Sequence, residues 1–341
     1  MILEKIATPV EILTERFLLR PVAKSDAGLF ALYAGDKRVA EATQGIPHPL
    51  PPGTAEAFCA RAMTAGTDED IWVMDGTRSN LPEVLGVISL KRMDRGQSEV
   101  AFWVAPAFWN HGIASEAVQA LVVKMGGMVE SAINDAANAL ENRDDELAED
   151  VRRRDKAIDA LELQINEEAA RLIALRAPRA TDLRMVLSVI KISASLERVG
   201  DYAKNIAKRA SVLSQMPTIS GTSGALRRMA KTVETLLRDA LDAYIQRDVE
   251  LAEDVRRRDH EVDQMYNALF REFLTYMMED PRMIGACTHL LFATKNIERI
   301  GDHATNIAEN IYFLVHGQAL RDERPKKDET ATTPFSPLNM D

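Results

Sequence analysis

The segment RDDELAEDVRRRD at 143–155 returns as RDVELAEDVRRRD at 247–259, with Val249 in place of Asp145 and every other position identical. A second pair follows in the same order, LERVGDYAKNIA at 196–207 and NIERIGDHATNIA at 296–308. Two matches of this length in one order mark an internal duplication, which restricts this part of the chain to a fold built from two like units. From Gly112 to about 316 the sequence has helical periodicity and no strand candidate, with breaks at 142–143, 176–180, 215–224, 246–248 and 280–282. Each copy therefore reads as a long first helix, the helix carrying the arginine-rich repeat, a break at Pro178 or Pro281, and a helix carrying the Glu-Arg-x-Gly-Asp element. Three amphipathic helices can bury their apolar faces on one another, so tandem three-helix bundles are predicted at 115–215 and 222–318. Val151, Ile158, Leu161 and Ile165 form the expected core stripe of one such helix.

The repeated helices carry acids in register. Glu197 and Asp201 are four residues apart and lie one turn apart on one helix face, with Asn205 on the next turn. Glu298, Asp302 and Asn306 repeat the arrangement. The preceding helix adds Asp155 and Asp159 in the first copy and Asp259 and Asp263 in the second. Asp155 borders the core stripe, which puts its carboxylate at or near a helix seam. If the two helices are antiparallel neighbours, each bundle gathers four carboxylates and an amide. Carboxylates so gathered repel one another unless a cation neutralises them. Oxygen ligands of this kind suit Fe, Zn, Mn or Mg, a divalent or trivalent metal, and do not choose among them. The competing reading is solvated surface charge, with Arg198 and Arg299 pairing neighbouring acids; repetition in register favours the metal. Gly200 and Gly301 point the same way, since a helix-interior glycine costs about 1 kcal/mol and earns its place through close helix approach. No Glu-x-x-His element is present, and His303 has Tyr202 as its counterpart, which leaves it outside the repeated design. No nucleophile–base pair recurs, so no catalysis is expected of the bundles.

Residues 124–316 resemble the PhoU family of phosphate-transport accessory regulators, through MGGMVESAINDAANAL (125–140), ELAEDVRRRDKAIDALE (146–162), LRAPRATDLRMVLSVIKISASLERVGDYAKNIAKRA (175–210) and ERIGDHATNIAEN (298–310). The resemblance implies two three-helix bundles with metal clusters on their acidic faces, in a dimer or higher homo-oligomer. It also implies a cytoplasmic repressor of the phosphate-starvation response that touches the ATPase subunit of the phosphate importer and the phosphate-sensing histidine kinase. The metal positions carried over are Asp155, Asp159, Glu197, Asp201 and Asn205 in the first copy, and Asp259, Asp263, Glu298, Asp302 and Asn306 in the second. Arg184, before the first metal helix, has no equivalent in MIGAC (283–287), so the two faces need not be equivalent.

The first third has a different texture. Strands are expected at 12–22, 71–75, 84–93 and 98–106, helices at 25–36 and 54–65, and a turn at 48–53. TERFLLRPVAKSDAGLFALY (14–33) followed by EVAFWVAPAFWNHGIASEAVQALV (99–122) resembles the GNAT family of N-acetyltransferases. In that family the loop into the following helix receives the pyrophosphate of acetyl-CoA, an anion site at a helix N-terminus. Carried over, this loop includes Asn110, His111, Gly112, Ile113 and Ala114, with Asn110 where a glycine is common among relatives. The resemblance breaks off after this helix, because QALVVKMGGMVES (119–131) passes directly into the first PhoU-like helix. The expected fold is therefore multidomain: an incomplete α/β acetyltransferase-like domain at 1–114, two all-α bundles, and a disordered tail at 319–341. Ser115–Leu140 is expected to run as one long helix, bent or interrupted at Gly126-Gly127, and the missing strands should leave a bare sheet edge. Glu99 and His111 are weak candidates for a base.

The formal net charge of −10 disfavours a broad nucleic-acid surface. Two cysteines provide no disulfide framework, and neither a leader-like start nor an uncharged run of membrane-spanning length is present, so a cytoplasmic protein without membrane insertion is expected. The leading functional expectation is a non-enzymatic PhoU-type regulator. The alternatives are an acyl-CoA-dependent N-acetyltransferase with a helical extension and a metal-dependent hydrolase.

Overall fold

The computed structural model describes residues 11–43, 45–64, 68–92, 98–109, 111–176, 180–219, 222–318 and 320. Two compact units are present, one formed by Met1–Gly127 with Lys156–Ala194 and the other by Met128–Asp155 with Ser195–Asp341.

The first unit contains an antiparallel sheet in the order β1 (Ile12–Leu13), β2 (Leu18–Pro21), β3 (Glu69–Asp75), β4 (Gly86–Arg92) and β5 (Ser98–Val104). Alternation along β3 serves two layers. Ile71 and Val73 join Phe30 of α1 (Ala27–Ala34) and Ala55 and Cys59 of α3 (Thr54–Ala62) in one apolar cluster. Trp72 points to the opposite face, where Lys124 of α4 (Ile113–Asn142) lies 4.5 Å above its ring and bonds Asp70 at 2.6 Å. Arg20 ties the strands to the helix entry, donating to Asp75 at 2.7 Å and to both oxygens of the buried Asp26 at 2.9 Å. A short helix, α2 (Lys37–Ala42), was not expected from the sequence. Its start is fixed by Asp36, which accepts from the backbone N–H of Arg38.

Helix α4 runs unbroken through Gly126 and Gly127, so the sheet segment and the first repeated helix share one element. α5 (Asp145–Arg176) and α6 (Thr181–Leu213) complete the first copy; α7 (Ser223–Gln246), α8 (Val249–Glu279) and α9 (Ile284–His316) form the second and pack mutually. The expected core stripe is buried at Val151, Ile158, Leu161 and Ile165. Duplication extends to the corners. Arg143 and Arg247 close α4 and α7 in the left-handed region, at φ 56° and 54°, a conformation that costs a non-glycine residue about 1–2 kcal/mol. Asp144 and Asp248 follow them and accept the backbone N–H groups of Leu147 and Leu251 at 2.9 and 3.0 Å, which starts α5 and α8. The predicted tail at 319–341 falls outside the described residues, apart from position 320.

No described helix is long and apolar enough to cross a membrane.

Candidate functional site

Each arginine-rich repeat is used locally. Arg154 of α5 bonds Asp135 of α4 at 2.6 Å and Asp150 at 2.7 Å, and Arg258 of α8 holds Asp239 of α7 and Asp254 in the same way. Arg152, Arg153, Arg256 and Arg257 each pair with the acid three residues earlier. These arginines therefore clamp helices and neutralise neighbouring acids.

The acids are placed less evenly than the register of the sequence implies. In the first copy Asp155 is buried, Glu197, Asp201 and Asn205 are half-buried, and Asp159 is exposed. In the second, Asp259, Asp263 and Glu298 are all buried, Asp302 is half-buried and Asn306 is exposed. Among the described residues, no group of three or more His, Cys, Asp or Glu side chains stands close enough to hold a metal ion.

The two faces place their lysines differently. On the first, the space between α5 and α6 already holds a cation: Lys204 Nζ lies 2.5 Å from Asp155 Oδ2 and 3.1 Å from Asp201 Oδ1. Burial opposes the charge on Lys204, but the two carboxylates outweigh it and raise the lysine pKa. This face, as built, does not fit a metal. On the second, Asp259 Oδ1 rests where a side chain at Gly301 would stand, 2.6 Å from the position of its Cβ. The glycine lies between Glu298 and Asp302 and lets α8 bring a carboxylate onto the α9 backbone, the close approach expected of it. Lys295 bonds Glu298 at 2.9 Å. Here too a lysine already stands on one of the acids, and the set does not gather closely enough to hold an ion. Sequence reasoning missed Lys204, although a lysine three residues after Asp201, with Thr305 as its counterpart, was a legible signal. The Asp135 and Asp239 clamps were also missed; both stand in the first helix of their copy at the same repeat spacing as the arginines.

Equivalent positions of the two copies meet. The rings of Tyr202 and His303 lie 5.6 Å apart, and Arg299 sits 5.9 Å from the Tyr202 ring. Burial, then Arg198 and Arg299, hold the His303 pKa below its ordinary value. Close by along the same helices, Arg209 donates to His289 Nδ1 at 3.1 Å and covers the Phe292 ring at 4.8 Å.

In the first unit, the loop expected to receive acetyl-CoA is closed by the chain itself. Asn110 and the Glu99 side chain lie outside the described residues. Trp109 Nε1 donates to Val104 O at 2.7 Å, and exposed His111 contacts Trp109 O through Nδ1 at 2.9 Å while its carbonyl accepts from Arg16 at 2.5 Å. Gly112 has φ 74° and opens α4, with buried Ile113 and half-buried Ala114 in the first turn. A side chain at Gly112 would stand 3.0 Å from Asp182 Oδ1 of α6 and 3.2 Å from Arg16. Buried Glu116 accepts from the Arg16 backbone and guanidinium at 2.7 Å. The start of α4 is thus already filled by the chain's own ionic groups, Asp182 and the Arg16–Glu116 ion pair, where a pyrophosphate would have to lie. The residues present do not fit that group.

β5 ends the strand order of the sheet. Over the sheet face, Val100–Trp103 line a cavity of about 680 Å³ together with Leu163, Gln164 and Arg171 of α5.

The comparisons agree with this division. The PhoU domain model matches residues 122–210 and 226–311, just over half of the chain. The acetyltransferase (GNAT) domain model matches residues 16–133. A phosphate-specific transport system accessory protein PhoU homolog from Caulobacter vibrioides (strain NA1000 / CB15N) is 53% identical over 207 residues, covering 61% of this chain and 90% of the relative. The homolog from Rhizobium meliloti (strain 1021) is 48% identical over 211 residues, covering 62% and 89%. The crystal structure of PhoU from Pseudomonas aeruginosa superposes with a TM-score of 0.58 at 41% identity, over 60% of this chain and 98% of that one. The match thus runs through both repeats and stops short of the N-terminal sheet. The chain belongs to the PhoU family.

Proposed function

We propose that the chain is a PhoU-type regulator of phosphate uptake and phosphate-starvation signalling, acting in the cytoplasm as a homo-oligomer through protein contacts. The observation that carries this reading is the 53% identity over 90% of a PhoU homolog, beside a family match that spans both acidic repeats. Its partners on this reading are the ATPase subunit of a phosphate importer and a phosphate-sensing histidine kinase. The helical copies offer faces for such contacts and carry no repeated nucleophile–base pair. A test is to express the full chain in Caulobacter vibrioides lacking its own PhoU homolog and to follow a phosphate-starvation reporter in phosphate-rich medium. Restored repression is expected; a reporter that stays fully induced at normal protein levels would overturn the reading.

A metal belongs to the same proposal, as Fe, Zn, Mn or Mg on the second copy. Asp259, Glu298 and Asp302 would have to draw closer to hold it, with Asp263 and Asn306 further along the same helices. Bound there, the ion would supply positive charge to buried carboxylates and so fix α8 against α9. Gly301 permits the approach of Asp259, and Lys295 holds Glu298.

The acetyltransferase reading draws on the GNAT match and on the cavity beside β5. Against it stand Asp182 and Glu116 at the start of α4. Titration with acetyl-CoA, followed by thermal unfolding, separates the readings: a saturable rise in melting temperature would favour the enzyme.

A further inference from the structure

We infer that the cavity between the sheet face and α5 is a binding site for a small, neutral, apolar ligand carrying one N–H or O–H donor. The cavity lies wholly within the first unit, so the inference stands apart from the acidic faces and from the PhoU reading. Small side chains open the space. Ser89 and Ala101 are register partners on β4 and β5, and Ala160 of α5 adds a third. The volume of about 680 Å³ is that of a small-molecule site. Phe30 packs edge-on against Phe58 and Trp103, with ring centres 5.5 and 5.8 Å apart, and all three rings line the cavity. Leu163 of α5 lines it too and is 52% exposed, apolar surface that an apolar ligand would cover.

The polar groups of the lining decide the charge of the ligand. The arginines there already have acids: Arg61 stands 3.6 Å from Glu69, and Arg171 stands 3.6 Å from Glu168. Glu167, the remaining charged residue of the lining, is exposed to water. An ionic ligand would lose hydration among apolar walls and gain no buried, unmatched counter-charge. Gln164 is different. It is only 3% exposed, and its Oε1 accepts no hydrogen bond among the described residues. A buried acceptor left unpaired costs free energy that a donor recovers. The last torsion of a glutamine is broad, so the amide can turn to a ligand without disturbing α5. One donor on an otherwise apolar body therefore satisfies this wall. Such a ligand touches the sheet and α5 together, and so ties a helix of the first repeat to the acetyltransferase-like sheet.

The experiment uses the full-length chain and cinnamyl alcohol, with cinnamyl methyl ether, cinnamylamine and cinnamate as comparison probes on the same carbon skeleton. Isothermal titration and calorimetric unfolding are the readouts. The alcohol should bind saturably and raise the melting temperature. The ether donates nothing and should bind about tenfold more weakly, as should the ammonium and the carboxylate. Gln164→Leu should melt at or above wild type and bind alcohol and ether alike. Ala101→Phe fills the cavity from an exposed strand position and should abolish binding at an unchanged melting temperature. No saturable response to the alcohol would overturn the inference, as would a preference for the alcohol that survives Gln164→Leu. Undiminished binding in a well-folded Ala101→Phe chain would place the ligand elsewhere and overturn it too; should that variant fold poorly, the Gln164→Leu comparison still decides. Tighter binding of the amine than of the alcohol would also overturn it, in favour of an amine-acceptor site of the acetyltransferase type.

Discussion

At Gly301 a missing methyl group leaves room for the buried Asp259 carboxylate of the neighbouring helix. A Cβ there would stand 2.6 Å from Asp259 Oδ1, whereas one at Gly127 would meet nothing within 4 Å. Gly301→Ala should therefore destabilise the chain by roughly 1–3 kcal/mol through overpacking, while Gly127→Ala should gain up to about 1 kcal/mol from helix propensity; denaturant unfolding of the two variants checks both signs. His289 makes a second prediction at this scale. Because Arg209 has no acceptor, the 3.1 Å contact requires His289 Nδ1 to be unprotonated. Burial first, and Arg209 second, push the His289 pKa below 6.5. Above that value both folded and unfolded chains hold a neutral ring. As the pH falls through it the unfolded chain takes up the proton first, so stability declines until the folded pKa is also passed. An NMR titration should place the His289 midpoint below 6.5, and His289→Gln should reduce the loss of stability on acidification from pH 7.

At the scale of elements, the same clamp is built twice with unequal burial. Arg258 and Asp239 are 30% and 26% exposed, against 42% and 23% for Arg154 and Asp135. Asp239→Ala should cost about 1–2 kcal/mol, and Asp135→Ala about 1 kcal/mol or less; urea unfolding measures the order, and equal effects would argue against burial as the cause. Such clamps were half-legible. The repeated arginines stood out, but their partners lie one helix earlier, and helix periodicity does not say which acid on a neighbouring helix is reached. The six long helices, the fusion of sheet and bundle through α4, and the cradle at Gly301 could be read directly, because helical period and an internal glycine each have one dominant physical cause. The acidic faces were read by register alone, and register does not report that Lys204 points between Asp155 and Asp201 or that Asp159 is exposed. The closure of the Gly112 loop by Asp182 was hidden for a different reason: the two residues lie in segments of different descent, and only the folded chain brings them together.

At the scale of the whole molecule, PhoU-family sequence fills the region beyond the sheet, and an acetyltransferase-like sheet precedes it without the free anion-binding helix start that its resemblance implies. On the proposed function, the chain regulates phosphate uptake by binding proteins, without catalysis of its own. The test is isothermal titration of the purified full-length chain against the ATPase subunit of a phosphate importer. Saturable binding is predicted, undiminished when the N-terminal loop is altered by Gly112→Ala. No detectable heat or complex with a well-folded chain and an active ATPase subunit would contradict it.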